Sequence, residues 1–238
     1  MYTFAYMLSF IIPAWNEEEL IGTTIESIQQ SARDFDFEII VADDASDDRT
    51  SAIAKELGAR VASCNNRQIG PTRNDGAAVA TGDILIFVDA DTIVSKEVID
   101  ETVDAVKQRY VIGGSFPRFD GEIPLIARVL GKTLEWLFVI GRVSAGAYLF
   151  CTRESFEKSG GFNPKFFAAE EVHFSKSLHK YGKFKSLKNH VVTSGRKFRT
   201  HSVWEILSTL ILVNIPGIRN IKKRKNLWYG ARRADKKG

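Results

Sequence analysis

The stretch Ile84-Leu85-Ile86-Phe87-Val88-Asp89-Ala90-Asp91-Thr92 decides the fold of this chain. Its first five residues form an unbroken apolar run, typical of a strand that is buried on both faces of a parallel sheet. Alternate residues of a strand point to the same side, so Asp89 and Asp91 are predicted to share a face at its carboxyl end. In open α/β sheets that end is where ligands bind.

The two carboxylates at the end of this strand have two interpretations. They would repel each other unless a cation lay between them, and Mg²⁺ or Mn²⁺ bridging to a diphosphate is one candidate. The alternative is a strand followed by a helix, with Asp91 or Thr92 as the N-cap. The stretch alone favours neither interpretation.

The rest of the chain repeats the alternation of strands and helices, which predicts βαβ units and a mostly parallel central sheet flanked by helices. The other predicted strands are Leu8–Pro13, Glu38–Asp43, Arg60–Ser63, Tyr110–Phe116 and Ala147–Thr152. The predicted helices run from Asn16 to Ala32 with acids in the first turn, from Ala45 to Leu57, from Gly70 to Ala80, from Lys96 to Arg109 and from Ala168 to Tyr181.

Composition indicates one large α/β domain in a chain of 238 residues. Cys64 and Cys151 are the only cysteines and lack metal-ligand spacing, which predicts reduced thiols in a cytosolic setting. The N-terminus lacks the basic region and cleavage site of a signal peptide. Beyond Ile218, nine basic residues stand against Asp235, a net charge of +8, so the total of +4 leaves −4 for the body.

Acidic residues recur where predicted strands end or a helix begins. Asp43-Asp44 follows the second strand, and Glu170-Glu171 comes later. Each pair alone is usually a helix cap, but several such sites at one sheet edge favour a ligand site. The loop Gly70–Asn74 adds Arg73 at a helix N-terminus, and both features favour phosphate.

Several segments together resemble family 2 glycosyltransferases, which have the GT-A, Rossmann-like fold. The match runs in order from Leu8 to Arg199. It predicts a catalytic domain over residues 1–201, with a donor-binding half of about 1–116 and an acceptor half of about 117–201, followed by an amphipathic helix and basic tail over 202–238. The matching segments are Phe10–Glu18, Val41–Ser46, Thr72–Asn74, Asp89–Asp91, Gly160–Phe162 and Glu170-Glu171.

The resemblance implies a nucleotide-sugar donor site. Asp44 is expected to accept a hydrogen bond from the ring N–H of the base, which suits uracil first and guanine next. Arg73 is expected near the base or diphosphate, and Arg196 near the diphosphate or acceptor. The implied donor-binding residues are Pro13, Ala14, Trp15, Asn16, Glu17, Asp43, Asp44, Arg73, Asp89, Ala90, Asp91 and Arg196.

The resemblance also implies a divalent metal, Mg²⁺ or Mn²⁺. Asp91 is the expected ligand, and Asp89 is expected to reach the ribose or a metal-bound water. His201 is a further candidate, although a lone histidine is more often not a ligand. The metal would offset the diphosphate charge as the sugar–phosphate bond breaks.

Glu171 occupies the family's catalytic-base position, which more often carries aspartate. It is expected to take the proton of the acceptor hydroxyl in a single displacement that inverts the anomeric configuration. Glu170 is the competing choice for this role. The alternative is that both glutamates merely start a helix, where its dipole favours them.

The segment Trp204–Pro216 is apolar but too short to span a membrane, and the basic tail follows it. Together with Trp228-Tyr229 it predicts peripheral contact with an anionic membrane on the cytoplasmic face, beside the apolar stretch Ile123–Val143. The alternative is that both helices pack on the sheet and the tail is solvated. The chain has no nucleic-acid module, so nucleic acid is not an expected partner.

The expected function is therefore metal-dependent, inverting transfer of a sugar from a nucleotide-sugar to a glycan or lipid-linked acceptor. Two alternatives remain at this point. A nucleotidyltransferase of similar fold would need a Gly-rich phosphate loop, which Pro13–Asn16 is not. A non-catalytic glycan-binding scaffold would keep the fold without using the acids.

Overall fold

The computed structural model describes residues 6–121, 125–166 and 169–196. Seven strands form the central sheet, and three short strands form a second sheet. The strands are β1 (Leu8–Ala14), β2 (Phe37–Asp43), β3 (Arg60–Ser63), β4 (Ile84–Val88), β5 (Thr92–Ile93), β6 (Tyr110–Gly114), β7 (Arg118–Phe119), β8 (Tyr148–Thr152), β9 (Lys183–Ser186) and β10 (Val192–Thr193).

Helices cover both faces of the central sheet. Side chains of α1, α2 and α4 pack on one face, and side chains of α3, α6 and α7 pack on the other. The helices are α1 (Ile21–Ser31), α2 (Thr50–Glu56), α3 (Ile69–Val79), α4 (Lys96–Lys107), α5 (Leu125–Gly141), α6 (Arg153–Ser159) and α7 (Glu170–Leu178).

The central sheet has the strand order β3-β2-β1-β4-β8-β6-β9 and is mostly parallel, as predicted. Only β8 runs antiparallel to its neighbours β4 and β6. The carboxyl ends of β1, β2 and β4 therefore meet at one edge. Because β10 pairs with β5, which directly follows Asp91, the small sheet lies beside that edge.

Strand β4 is buried on both faces, as its apolar run predicts. Ile84, Ile86 and Val88 join the core under α1 and α4, whereas Leu85 and Phe87 join the core under α3 and α7. All five side chains are completely buried. Burial on both faces explains why the strand has no polar residue until it ends.

The helix-cap interpretation of Asp91 and Thr92 is wrong. Asp89–Asp91 forms a turn, Thr92 enters β5, and Ser95 is the residue at the N-cap of α4. Asp89 also lies beyond the last residue of β4, so the expected strand-like alternation of the two carboxylates does not apply.

The predicted start of the first helix at Asn16 is also wrong, because α1 begins at Ile21 with no acid in its first turn. Asn16 has a left-handed φ of 52°. Its side-chain oxygen accepts a hydrogen bond from the Asp47 amide at 3.0 Å, and the Glu17 amide donates to Thr50 Oγ1 at 2.8 Å. These contacts with the loop after β2 replace the helical ones.

Pro13 does not end the first strand, which continues to Ala14 in register with β2. Pairing with β4 stops at Ile11, so beyond it a residue without an N–H is tolerated. Other predicted ends differ by a few residues: β6 stops at Gly114 and α7 at Leu178.

No helix in the described ranges is both long and apolar enough to cross a membrane. Within the apolar stretch Ile123–Val143, the structure forms helix α5. His201, the boundary after residue 201 and the segment 202–238 lie outside the described residues.

Candidate donor and catalytic site

Asp44 lies directly after β2 and is almost completely buried, with 3% of its surface exposed. Its Oδ1 accepts hydrogen bonds from the backbone amides of Asn66 at 2.6 Å and Arg67 at 3.0 Å. Its backbone amide donates to the carbonyl of Ala14. No group in the described part of the chain donates to Oδ2, which leaves that oxygen as an acceptor for a ligand.

Trp15 forms an aromatic surface close to Asp44. The guanidinium of Arg67 stacks over its ring, with the guanidinium carbon 4.6 Å from the ring centroid. Arg67 has a left-handed φ of 51°, and its amide is one of the two that hold Asp44. Sequence reasoning missed Arg67, because nothing in the sequence marks a left-handed residue that reaches back to Trp15.

Asp91 and Arg196 come together next to Glu17. Asp91 Oδ1 accepts a hydrogen bond from Thr193 Oγ1 on β10 at 3.0 Å, and Arg196 Nη2 lies 3.0 Å from Glu17 Oε2. Burial opposes the charge of Arg196, but Glu17 and then Asp91 raise its pKa. Three predicted donor residues thus share one cluster, and Thr193 is an addition that the sequence did not suggest.

The remaining predicted donor residues have mainly backbone or loop contacts. Asp43 Oδ1 accepts from the Ser46 amide at 3.3 Å, and the Ala90 carbonyl accepts from Thr24 Oγ1 at 2.9 Å. Pro13 lies in β1, opposite Ala42 of β2. These contacts shape the edge of the sheet between the Asp44 and Asp91 positions.

Arg73 on α3 is buried and contacts three other segments: the turn at Asp89, the loop at Gly146 and the start of α7. Its Nη2 donates to Asp89 Oδ1 at 2.9 Å and to the Gly146 carbonyl at 3.0 Å, and its Nη1 lies 3.3 Å from Glu170 Oε1. The sequence placed Arg73 near the base or diphosphate. In the structure its terminal nitrogens contact the carboxylates of Asp89 and Glu170, and its position relative to a nucleotide stays a prediction.

Asn74, the residue after Arg73, fastens the Gly160–Phe162 loop. Its Nδ2 donates to the Phe162 carbonyl, and its Oδ1 accepts from the Phe162 amide, both at 2.8 Å. Gly161 has a φ of 74°, and a Cβ there would lie 2.6 Å from Asn74 Oδ1. This close approach explains the glycine, and it brings two of the resembling motifs into contact.

Glu170 and Glu171 begin α7 after Ala169, a non-glycine residue with a left-handed φ of 56°. Burial raises the pKa of Glu170, and the neighbouring Glu171 raises it further, while Arg73 opposes the shift. Burial also raises the pKa of Glu171, again against Arg73. Two adjacent carboxyls with raised pKa values form a site that can hold and release a proton.

The two glutamates differ in their contacts. Glu170 is 7% exposed and paired with Arg73, whereas the residue Glu171 as a whole is partly exposed. A Cβ at Gly146 would lie 3.8 Å from the Glu171 carboxyl carbon, so the bare backbone of Gly146 lies against it. Glu171 is therefore the more accessible of the two.

No cluster of three metal-ligating side chains occurs among the described residues. Mg²⁺ and Mn²⁺ sites at substrate phosphates use one or two protein carboxylates, and water and phosphate oxygens complete the shell. Asp91, half-buried and one residue from Asp89, fits a site of that kind. Asp89 is ion-paired with the guanidinium of Arg73, whereas Asp91 accepts a hydrogen bond from the neutral hydroxyl of Thr193, which makes Asp91 the better candidate.

The fold and this edge define the class of protein: an α/β fold with acids at the strand ends, as in GT-A proteins. The mannosyltransferase PcManGT from Pyrobaculum calidifontis, in complex with GDP-Man and Mn²⁺, is similar with a TM-score of 0.70 at 20% identity, covering 89% of this chain and 63% of that one. TarS 1–349 of S. aureus in complex with UDP has a TM-score of 0.62 at 19% identity, covering 79% and 60%. These likenesses confirm the fold class.

The family model for glycosyl transferase family 2 matches residues 9–175, more than half of the chain. The chain belongs to this family, which confirms the resemblance found in the sequence.

Two curated relatives are also similar. The 4,4'-diaponeurosporenoate glycosyltransferase of Staphylococcus haemolyticus is 40% identical over 111 residues, 43% of this chain and 28% of that protein. The dolichol-phosphate mannosyltransferase of Pyrococcus furiosus is 27% identical over 150 residues, 58% and 41%. The chain spans less than half the length of these relatives.

Proposed function

We propose that this protein transfers a sugar from a nucleotide-sugar to a hydroxyl of a glycan or lipid-linked acceptor, with inversion at the anomeric carbon. One observation carries the proposal. Asp44 and Asp91 lie just beyond the carboxyl ends of β2 and β4, the two parallel neighbours of β1, and Arg73 links this edge to Glu170 through Asp89. Family membership supports the same chemistry.

Asp44 is the proposed reader of the base. Its Oδ1 is held by two backbone amides, so Oδ2 is fixed in place as an acceptor. A fixed acceptor suits a base edge that donates an N–H, as uracil and guanine do. A UDP-sugar is favoured and a GDP-sugar comes next; the structural relatives include proteins in complex with UDP and with GDP-Man.

Asp91 is the proposed ligand of Mg²⁺ or Mn²⁺, with Asp89 beside it. The metal would supply positive charge at the diphosphate as the sugar–phosphate bond breaks. Arg196 lies near Asp91 and adds a second positive charge there. Arg73 is proposed to hold Asp89 and Glu170 in place.

Glu171 is the proposed catalytic base. It would accept the acceptor's hydroxyl proton while that oxygen bonds to the anomeric carbon and the bond to the leaving diphosphate breaks. Two contacts support this choice: Arg73 holds the carboxylate of Glu170, and Glu171 is the more exposed residue of the two. Glu170 is then not the base; it stays bound to Arg73 beside Glu171.

The proposed setting is the cytoplasmic face of a membrane, with residues 202–238 in peripheral contact with anionic lipid. The nine basic residues beyond Ile218 support this contact. A lipid-linked acceptor agrees with the similarity to the dolichol-phosphate mannosyltransferase of Pyrococcus furiosus.

A panel of nucleotide-sugars, read by thermal shift with and without Mn²⁺, tests the donor site. We expect stabilisation by one nucleotide class that increases with Mn²⁺, and slow release of nucleoside diphosphate without acceptor. If no nucleotide binds in the presence of metal, the proposal fails. Binding of a nucleotide-sugar with no release under any acceptor condition would indicate a non-catalytic scaffold.

A further inference from the structure

Helix α5 exposes an apolar face to solvent. The exposed fractions are 62% for Trp136, 59% for Ile140, 57% for Val129, 52% for Leu137 and 47% for Val139. We call these five residues the apolar face of α5. Most other large apolar side chains of the described core are buried, so this is the largest concentration of exposed apolar side chains in the described residues.

The helical repeat places these side chains together. With 3.6 residues per turn, Val129, Trp136 and Ile140 lie along one line, and Leu137 and Val139 flank it. Phe138 lies on the opposite side, where its ring packs against Phe116 with centroids 5.9 Å apart. The helix is therefore attached to the domain by one side while the apolar face points away.

Positive charge borders this face. Arg128 and Lys132, one turn apart, are both exposed along one edge of it. The single acid in α5 is Glu135, whose carboxylate is bound to Arg118 at 3.0 Å and lies near His190. The exposed side of α5 thus combines aliphatic side chains, a tryptophan and exposed cations, as helices at a membrane interface do.

We propose that the apolar face of α5 lies in the surface of an anionic membrane. The charges decide between possible occupants. Of the chain's own C-terminal segment, the apolar part Trp204–Pro216 is itself proposed to contact lipid, and the part beyond Ile218 is strongly basic and would bring like charges next to Arg128 and Lys132. A second copy of α5 would do the same, whereas anionic headgroups complement these cations.

The position of α5 in the chain connects this surface to the candidate site. Gly146, whose carbonyl binds Arg73 and whose backbone lies against Glu171, follows the last residue of α5 by five positions. Five extended residues reach at most about 18 Å. If Glu171 is the base, a step that rests on the proposed function, its acceptor would be presented from the lipid surface, which favours a lipid-linked hydroxyl.

Sedimentation of the full chain with vesicles tests the proposal. Wild-type protein should sediment with vesicles containing phosphatidylglycerol and much less with pure phosphatidylcholine. The double variant W136S/I140S, with two solvent-exposed side chains replaced, should bind anionic vesicles about tenfold or more weakly. The variant K132E should also weaken binding, by about tenfold, whereas K55E on α2 makes the same charge change on another helix and should have little effect.

Equal vesicle binding by wild type and W136S/I140S would overturn the proposal, because contact would then depend on other parts of the chain. So would dimerisation of the wild type, seen by light scattering, that the double variant abolishes, since a second copy would then cover the face. Nucleotide binding measured in solution should be unchanged in these variants. Vesicle binding needs no donor, so its outcome is separate from that of the proposed transfer reaction.

Discussion

The carboxyl edge of β1, β2 and β4 and the start of α7 are built by different kinds of contact. At the strand edge, Asp44 follows its strand directly and is held by amides 22 and 23 residues away. At the start of α7, Glu170 is held by Arg73, 97 residues away in the chain. The Asp44 position is therefore a local construction, whereas the position of the glutamates depends on the second half of the chain as well as the first.

The difference has a chemical consequence. Asp44 is fixed by neutral backbone donors, so its environment is complete without the second half of the chain. Arg73 and Glu170 are buried, Asp89 is partly exposed, and the two carboxylates share the single guanidinium of Arg73. Substitutions in the two regions should therefore fail in different ways: loss of ligand affinity at the strand edge, and loss of rate and stability around α7.

The largest expected effect is that of Glu171→Gln on transfer. Removing the general base should lower kcat by about 10²- to 10⁴-fold while nucleotide binding is retained, because Gln cannot accept the hydroxyl proton. Steady-state turnover and thermal shift with nucleotide measure the two quantities. The matched control is Glu170→Gln, which keeps Glu171. A larger loss of kcat in the control than in Glu171→Gln would assign the base to Glu170.

The next largest effect is that of Arg73→Met on stability. It leaves the carboxylates of Glu170 and Asp89 without their cation, which should lower the free energy of unfolding by about 3–5 kcal/mol. Urea denaturation at about pH 9 measures this change, because Glu170 is ionised above its folded pKa of about 8. The double variant Arg73→Met/Glu170→Gln should recover part of the loss, since one buried charge is removed. Strictly additive losses would show that the ion pair does not couple α3 to α7.

The sequence predicted the strand edge far better than the start of α7. The apolar run Ile84–Val88 has one physical explanation, burial on both faces, and the strand that it predicts was confirmed. Asp89 and Asp91 then follow by chain continuity. In contrast, nothing near Arg73 in the sequence indicates that its partners are Glu170 and the carbonyl of Gly146.

The wrong prediction of where α1 begins also results from a contact with a distant segment. Asn16 and the acids after it have the local pattern of a helix start. Asp47 in the loop after β2 and Thr50 at the start of α2 form hydrogen bonds with Asn16 and Glu17, and α1 begins only at Ile21. The pattern of neighbouring residues cannot predict hydrogen bonds that a segment 31 to 33 residues away supplies.

A smaller effect is expected for Asp44→Asn, which tests the strand edge itself. With Oδ1 still bound by the amides of Asn66 and Arg67, the new NH₂ would face the base N–H, donor against donor. Loss of a hydrogen bond to a charged acceptor, about 1.5–3 kcal/mol, should weaken nucleotide binding by about 10- to 100-fold. Calorimetric titration measures it, with stability nearly unchanged. Asp104→Asn, an exposed carboxylate on α4, is the control and should bind nucleotide normally.

The smallest effect is a pH dependence that separates the two regions. Because the folded pKa of Glu170 is raised above its usual value of 4.5, the native state keeps a proton that the unfolded chain has released above that pH. Stability contributed at this position is therefore greatest below pH 4.5 and declines as pH rises towards the folded pKa, by at most about 1.4 kcal/mol per pH unit. Glu170→Gln removes the titration, so the free energy of unfolding of the wild type relative to this variant should fall between pH 5 and 7 in urea denaturation.

The exposed Glu157→Gln on α6 controls for the change in net charge. A wild-type difference from Glu170→Gln that stays constant over this range would mean that Arg73 keeps Glu170 ionised, and the proton-sharing pair at the start of α7 would have to be given up.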